Sequence, residues 1–307
     1  MGISLVKTTK RRKRMIAVIL MLLGGFSVAA SSTLAGFTMT GNRQTIEEAM
    51  KWQSEHYDIS FYEKTEKSEY TIPGYKDYIL HAELLKSPTP SDRYMIISHG
   101  YTDNRRGSLK YAKMYLDMGF NCIIYDLRGH GENEKTFTTY GIREGRDLAY
   151  VVKDTRKRYS GIKQLGLHGE SLGAASTITS LKYKPKVDFV VADCGFSDIE
   201  NVLRGGFRNS HIPGFLFDLA DLGARLRYHY ALRDMKPIDS LAENEIPILF
   251  IHGADDTFIL PKNSQDMYDK TKGKKEIFFM PGAGHAASVL KDAEKYREIV
   301  EGFVKGF

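Results

Sequence analysis

The chain has 307 residues, 42% hydrophobic and 27% charged, enough for one large domain with a substantial core. Its formal net charge of +6 resides in Lys7, Lys10, Arg11, Arg12, Lys13 and Arg14, and no acid precedes Glu47. From residue 15 onward the charges balance, so the basic character belongs to the tail and argues against a nucleic-acid partner for the body of the chain.

The basic stretch 1–14 abuts Met15-Ile16-Ala17-Val18-Ile19-Leu20-Met21-Leu22-Leu23, and the uncharged run continues to about Thr40. A basic n-region before an apolar run describes a signal peptide or a signal anchor. The strongly apolar part, about 16 residues, reaches the roughly 20 that a bilayer requires once 31–37 is included. Small residues at Ala29 and Ala30 permit cleavage, although there is no clean A-x-A. Residues 15–37 therefore read as a transmembrane signal anchor, with a cleaved signal peptide as the alternative. In both cases the positive-inside rule places the rest of the chain outside the cytoplasm, as a single-pass membrane protein or a secreted one.

Residues 41–307 read as one large folded domain. A short amphipathic helix is expected over 41–57, and leading strands over 70–72 and 78–84. Strand–helix alternations follow, with helices near 106–118, 142–159, 171–182, 261–271 and 286–305. Apolar runs at 95–98, 122–125, 162–167, 189–192, 248–251 and 276–280 supply the strands. This alternation predicts an α/β fold with a mostly parallel central sheet flanked by helices. Residues 197–239 break the pattern. Their apolar positions, among them Phe215, Phe217, Leu222 and Leu226, lie between Arg204, Arg208, His211 and Arg225 and read as a small helical insertion.

The most informative motif is Gly169-Glu170-Ser171-Leu172-Gly173, which follows one apolar strand and opens a small, helix-prone stretch. A G-x-S-x-G sequence in that context describes a sharp turn that presents a serine at a helix N-terminus. A nucleophilic serine needs a base, and the base needs an orienting acid. Downstream, a strand ends in His252-Gly253-Ala254-Asp255-Asp256-Thr257, and a later one in Pro281-Gly282-Ala283-Gly284-His285. The order is Ser, Asp, His, with acid and histidine both in loops after strands.

From about Tyr70 onward these features resemble an α/β-hydrolase of the exported bacterial serine esterase or serine aminopeptidase type. The resemblance rests on four motifs: His99-Gly100-Tyr101, Asp126-Leu127-Arg128-Gly129-His130-Gly131, the serine turn, and His252 to Ile259 with Gly282-Ala283-Gly284-His285. It implies Ser171 as nucleophile, His285 as base and Asp256 as the acid, with Asp255 and Asp193 as the competing carboxylates. It places the oxyanion hole at the backbone N–H groups of Tyr101 and Leu172. It also makes 197–239 a cap, in which Phe215 and Phe217, with the Tyr101 side chain, are candidate walls of a substrate pocket. Asp126, Arg128, His130, His99 and His252 have mainly structural readings, and Asp193 is expected to brace the loop into Phe196-Ser197-Asp198.

No metal site is expected, because there is no H-x-x-x-H or H-E-x-x-H, and Cys122 and Cys194 both fall on core strands. Neither a phosphate-binding loop nor a dinucleotide fingerprint is present, so no cofactor is expected. The chain thus reads as a serine hydrolase cleaving carboxylic esters. A serine peptidase with the same triad, acting on peptides, is the alternative; a non-catalytic binding protein on the same fold is a further one.

Overall fold

The computed structural model describes residue 25 and residues 27–307. The basic segment 1–14 and residues 15–24 of the apolar run lie outside the described residues. Among the described residues no helix is long and apolar enough to cross a membrane.

Eight strands build one sheet: β1 (Lys67–Pro73), β2 (Ile79–Leu85), β3 (Arg93–Ser98), β4 (Asn121–Tyr125), β5 (Gln164–Glu170), β6 (Phe189–Asp193), β7 (Ile248–Gly253) and β8 (Lys275–Met280). Their spatial order is β1-β2-β4-β3-β5-β6-β7-β8. Strand β2 runs antiparallel to both neighbours, and all pairings from β4 to β8 are parallel. Strands β4 to β7 are buried along their whole length. Their near-continuous apolar character follows, because both faces are covered. Ile96, Ile123, Leu167, Val190 and Phe250 face one core layer, and Ile97, Ile124, Val191, Leu249 and Ile251 the other.

Helices α1 (27–39), α2 (Ile46–His56) and α3 (Ser60–Lys64) precede the sheet. Helix α2 starts where Thr45 and Glu48 form a reciprocal capping box. Around the sheet lie α4 (Leu109–Asp117), α5 (Ile142–Arg158), α6 (Leu172–Ser180), α9 (Lys262–Lys270), α10 (Ser288–Lys291) and α11 (Ala293–Val304). The helix expected over 286–305 is two helices. Asp292 adopts φ −157° and its carboxylate accepts from Lys295 N, so it ends one helix and caps the next. The insertion after β6 contains α7 (Ile199–Asn209) and α8 (Phe215–Tyr228).

The expected boundary at residue 41 moves towards the N-terminus. Ser31, Ala35 and Met39 recur every fourth residue along α1, and all three are fully buried. Thr138 N donates to Met39 O at 2.8 Å, and Arg227 donates to Ser32 O at 3.2 Å. The second half of the apolar segment thus packs on the folded body, because one face of α1 covers the insertion.

Candidate active site

Strand β5 delivers the chain into a turn at which Ser171 holds φ 54° and ψ −112°. This backbone region is unfavourable for a residue with a Cβ and persists only where its surroundings enforce it. The two flanking glycines show how. A Cβ on Gly169 would overlap the Gly173 carbonyl, and one on Gly173 would overlap the Ser98 carbonyl at the end of β3. Ser171 N donates to Asp193 O at 2.9 Å, fixing the turn to β6. The hydroxyl therefore stands at the C-terminal edge of the sheet and the N-terminus of α6, where the helix dipole favours a developing anion.

Ser171, His285 and Asp256, 114 and 29 residues apart in sequence, meet in one line. Ser171 Oγ lies 3.0 Å from His285 Nε2, and His285 Nδ1 lies 2.7 Å from Asp256 Oδ2. Asp256 Oδ1 accepts from the backbone N–H groups of Phe258 and Ile259, each at 2.9 Å. Burial opposes the charge of Asp256. Hydrogen bonds from His252 and His285 outweigh that penalty and hold the carboxyl well below its ordinary range. Asp256 is thus a fixed anion, which selects the His285 tautomer with its proton on Nδ1 and a lone pair on Nε2 facing the serine. His252 is structural: its Nε2 lies 2.7 Å from Ile259 O and its Nδ1 2.7 Å from Ser264 Oγ, locking the loop that carries Asp256.

The competing acids are placed elsewhere. Asp255 is exposed, its backbone N–H bonded to Ala283 O. Asp193 is buried beneath the serine turn, where its carboxylate accepts from Tyr111 and Tyr296, each at 3.0 Å. It does not brace the Phe196–Asp198 loop; two tyrosines hold it instead. Burial and the neighbouring Glu170 charge push it up to about 6. Glu170 itself pairs with Lys110 and accepts from Tyr111 at 2.5 Å. This buried Lys110–Glu170–Asp193 cluster was not anticipated, although Glu170 lies inside the serine motif. Lys110 sits among the apolar residues of α4 with no sequence feature that separates it from a surface lysine.

The loop after β3 brings Gly100 beside the nucleophile: a Cβ there would lie 3.8 Å from Ser171 Cβ. Tyr101 follows it, and Leu172 opens α6, so both candidate oxyanion donors belong to segments adjoining Ser171. The Tyr101 side chain is turned to support. Its ring stacks on Tyr140, and its hydroxyl accepts from Gly41 N at 3.0 Å and donates to Thr38 O at 3.4 Å. The neighbouring His99 accepts from Leu127 N at 2.9 Å, and Asp126 receives Arg105 at 2.6 Å. Arg128 makes a two-pronged pair with Asp147 at 2.7 and 2.6 Å and lies over the Tyr78 ring. These charged groups are structural, as the sequence suggests.

In the cap, Phe217 and Phe215 lie apart. Phe217 is fully buried beneath Arg204, in the cap's own core, whereas Phe215 is 62% exposed on the outside of α8. Two residues apart on a helix, they face opposite sides, so they do not form one pocket wall together. At the site itself an exposed Phe258 packs edge-on against the His285 ring, at 5.1 Å. Both cysteines are buried free thiols, and the described residues hold no cluster of His, Cys, Asp and Glu able to bind a metal.

A sequence model of the prolyl oligopeptidase family matches residues 107–305, about two thirds of the chain. The chain belongs to that family. This prolyl oligopeptidase family member is 32% identical to YqkD of Bacillus subtilis over 271 residues, 85% of this chain and 88% of the relative. It is 29% identical to human ABHD12B over 232 residues, covering 68% of this chain and 59% of that one. Among solved structures, the Pyrococcus furiosus esterase Pf2001 superposes with a TM-score of 0.69 at 21% identity, over 88% of this chain and 98% of the esterase. The ferulic acid complex of Est1E from Butyrivibrio proteoclasticus gives a TM-score of 0.62 at 17% identity, over 77% and 99%. The fold is therefore that of an α/β-hydrolase, and the family makes the protein a hydrolase.

Proposed function

We propose that the protein is a serine hydrolase that cleaves carboxylic esters through an acyl-enzyme. The observation that carries this reading is the Ser171–His285–Asp256 line on a strained strand-to-helix turn. Ser171 Oγ attacks the ester carbonyl carbon while His285 Nε2 takes its proton. The backbone N–H groups of Tyr101 and Leu172 receive the oxyanion. Collapse of the tetrahedral intermediate expels the alcohol, which takes the proton from His285. Water then attacks the acyl carbonyl, its proton passing to His285 Nε2, and Ser171 leaves as the restored hydroxyl. Asp256 stays ionised and stabilises the imidazolium.

The family's name favours peptide substrates as a second reading. An aminopeptidase needs a carboxylate to capture the substrate's ammonium group, and the cap offers Asp198, Glu200, Asp218 and Asp221. Each already faces a cation of the cap: Lys236 at 3.4 Å from Asp198, Arg204 at 2.8 Å from both Glu200 and Asp218, and Arg233 at 3.0 Å from Asp221. These pairings support the ester reading.

The basic stretch 1–14 and the apolar residues up to about 30 would anchor the protein in the membrane with the hydrolase outside the cytoplasm, or be cleaved on export, as their charge and hydropathy suggest, while the buried part of α1 stays with the domain. The test of the catalytic reading uses the full chain with p-nitrophenyl esters from acetyl to palmitoyl and with aminoacyl-p-nitroanilides. Ester turnover that disappears in Ser171→Ala, with fluorophosphonate labelling lost in parallel, is the expected result. Preferential anilide turnover would transfer the protein to the peptidases, and unchanged turnover in Ser171→Ala would sink the assignment.

A further inference from the structure

Helix α8 carries apolar residues where a solvated helix carries polar ones. Phe215, Leu219, Leu222 and Leu226 recur at spacings of four, three and four, a single stripe along the helix. Phe217, Ala220, Asp221 and Ala224 occupy the opposite face and are buried in the cap. The stripe therefore points outward, with Leu222 43% and Leu226 55% exposed in addition to Phe215, and Leu219 half-buried between them. Arg225 and Arg227 flank Leu226.

Helix α1 lies against this same helix. A Cβ on Gly223 would overlap the Ser31 carbonyl, so the two backbones are in direct contact there. Residues 27–29, about one turn ahead of that contact, are exposed. The chain thus reaches the hydrolase beside the α8 stripe. In sequence, residues 15–30 are uncharged and directly follow the six basic residues. A helix of that length would reach only about 24 Å, less than the roughly 30 Å hydrocarbon core of a bilayer. As a membrane anchor, an apolar segment so short, running straight into the part of α1 that touches α8, would leave no room for a gap between membrane and cap.

We propose that the Phe215–Leu219–Leu222–Leu226 face of the cap docks on a lipid bilayer. The four side chains would enter the boundary between headgroups and acyl chains, with Arg225, half-exposed beside its partner Asp221, at headgroup level and Arg227 holding the Ser32 carbonyl of α1. This surface is separate from the catalytic line and does not rest on the ester reading. It makes the hydrolase an enzyme held with its cap at the membrane surface.

The test uses the full chain in phosphatidylcholine–phosphatidylglycerol nanodiscs. An environment-sensitive NBD probe is attached through Leu222→Cys, and through Lys113→Cys on the far side of the sheet as a control; both native cysteines are buried. Docking predicts blue-shifted emission at position 222 and at least twofold quenching by doxyl-labelled lipids, with neither change at 113. Solvent-like, unquenched emission at 222 overturns the proposal. So does a blue shift without lipid quenching, which assigns the face to the chain's own segment 15–23 or, if it depends on protein concentration, to a second copy. Hydrolysis of p-nitrophenyl acetate by the same labelled samples reports on the catalytic reading separately, since loss of turnover with quenching intact would sink only that reading.

Discussion

The hydroxyl of Tyr101 accepts a hydrogen bond from the Gly41 amide at 3.0 Å, joining the loop of the candidate oxyanion hole to the end of the N-terminal segment. The contact is reinforced on both sides. Tyr140 donates to Thr38 O at 2.5 Å, and Gln44 N donates to Thr102 O at 2.8 Å. Arg43 donates to Thr136 O and Thr138 Oγ1, each at 2.8 Å, behind the same loop. Residues 38–45 are thus a strap across the support of the active site. Tyr101→Phe keeps the ring stack but leaves Gly41 N and Thr38 O without this partner. The expected loss is about 1–2 kcal/mol, read as a fall of several degrees in Tm, with kcat lowered a few-fold and KM little changed. A chain beginning at residue 27 should match the full chain in soluble-ester kcat. A chain beginning at residue 41 should lose most of that activity, because it lacks Thr38 and the buried Ala35 and Met39. Equal activity in the 27- and 41-residue starts would show that the strap carries no weight.

Asp255 and Asp256 are neighbours in sequence with opposite environments, one exposed and one fixed by two backbone amides and two histidines. Asp256→Asn would stabilise the wrong His285 tautomer, with the proton on Nε2 where the serine needs an acceptor. The expected result is a fall in kcat of about 10³–10⁴-fold with the thermal unfolding still cooperative. Asp255→Asn should stay within a factor of three. A reversed ranking would remove Asp256 from the triad.

Much of this site was legible because its parts are local. The serine turn needs Gly169 and Gly173 for backbone clearance, and both appear as letters in the motif. Each acid and histidine follows its strand within a few residues, so strand order alone places them on one sheet edge. Strands were legible because two-sided burial makes them continuously apolar. What escaped was decided by partners distant in sequence. Nothing in Lys110 announces its pairing with Glu170, 60 residues away, and nothing in Tyr101 announces Gly41. The start of the domain was misplaced for a related reason. An apolar helix that covers the cap and one that enters a membrane share the same composition, and the burial of Ser31, Ala35 and Met39 distinguishes them only in three dimensions.

The clearance around the serine turn is itself testable. Gly173→Ala places a methyl group against the Ser98 and His99 carbonyls at the heart of the sheet edge. Backbone atoms cannot swing aside as a side chain does, so the strain must be relieved by moving β3, α6 or the turn. The expectation is overpacking of about 1–3 kcal/mol and at least a hundredfold loss of kcat, since a displacement of about 1 Å at the nucleophile is enough for that. Gly206→Ala on α7, where a Cβ meets nothing, is the control and should leave activity unchanged. Wild-type turnover in Gly173→Ala would show that the turn has slack.

Acid stability follows from histidines held neutral in the core. Burial pushes His99 down to about 4 and His168 down to about 3, and it lowers His130 well below its ordinary value. In the unfolded chain each titrates near 6.5. Below that pH the unfolded state binds more protons than the folded one, so their contribution is complete above about pH 6.5 and declines as pH falls towards 3. Two buried acids oppose them. Burial pushes Asp103 and Asp193 up to about 6, so across about pH 4–6 the folded state takes up protons at these positions first. The three imidazoles span a wider pH range than the two carboxyls offset, and the lowered Asp256 adds to the decline only below about pH 4. Tm should therefore fall between pH 7 and pH 5, by an amount corresponding to a few kcal/mol. His168→Asn, which retains a polar side chain but cannot take up a proton, should flatten that decline while leaving the pH 8 value within a few degrees. A Tm that is level or rising from pH 7 to pH 5 would mean that the buried acids, not the histidines, govern the acid limb.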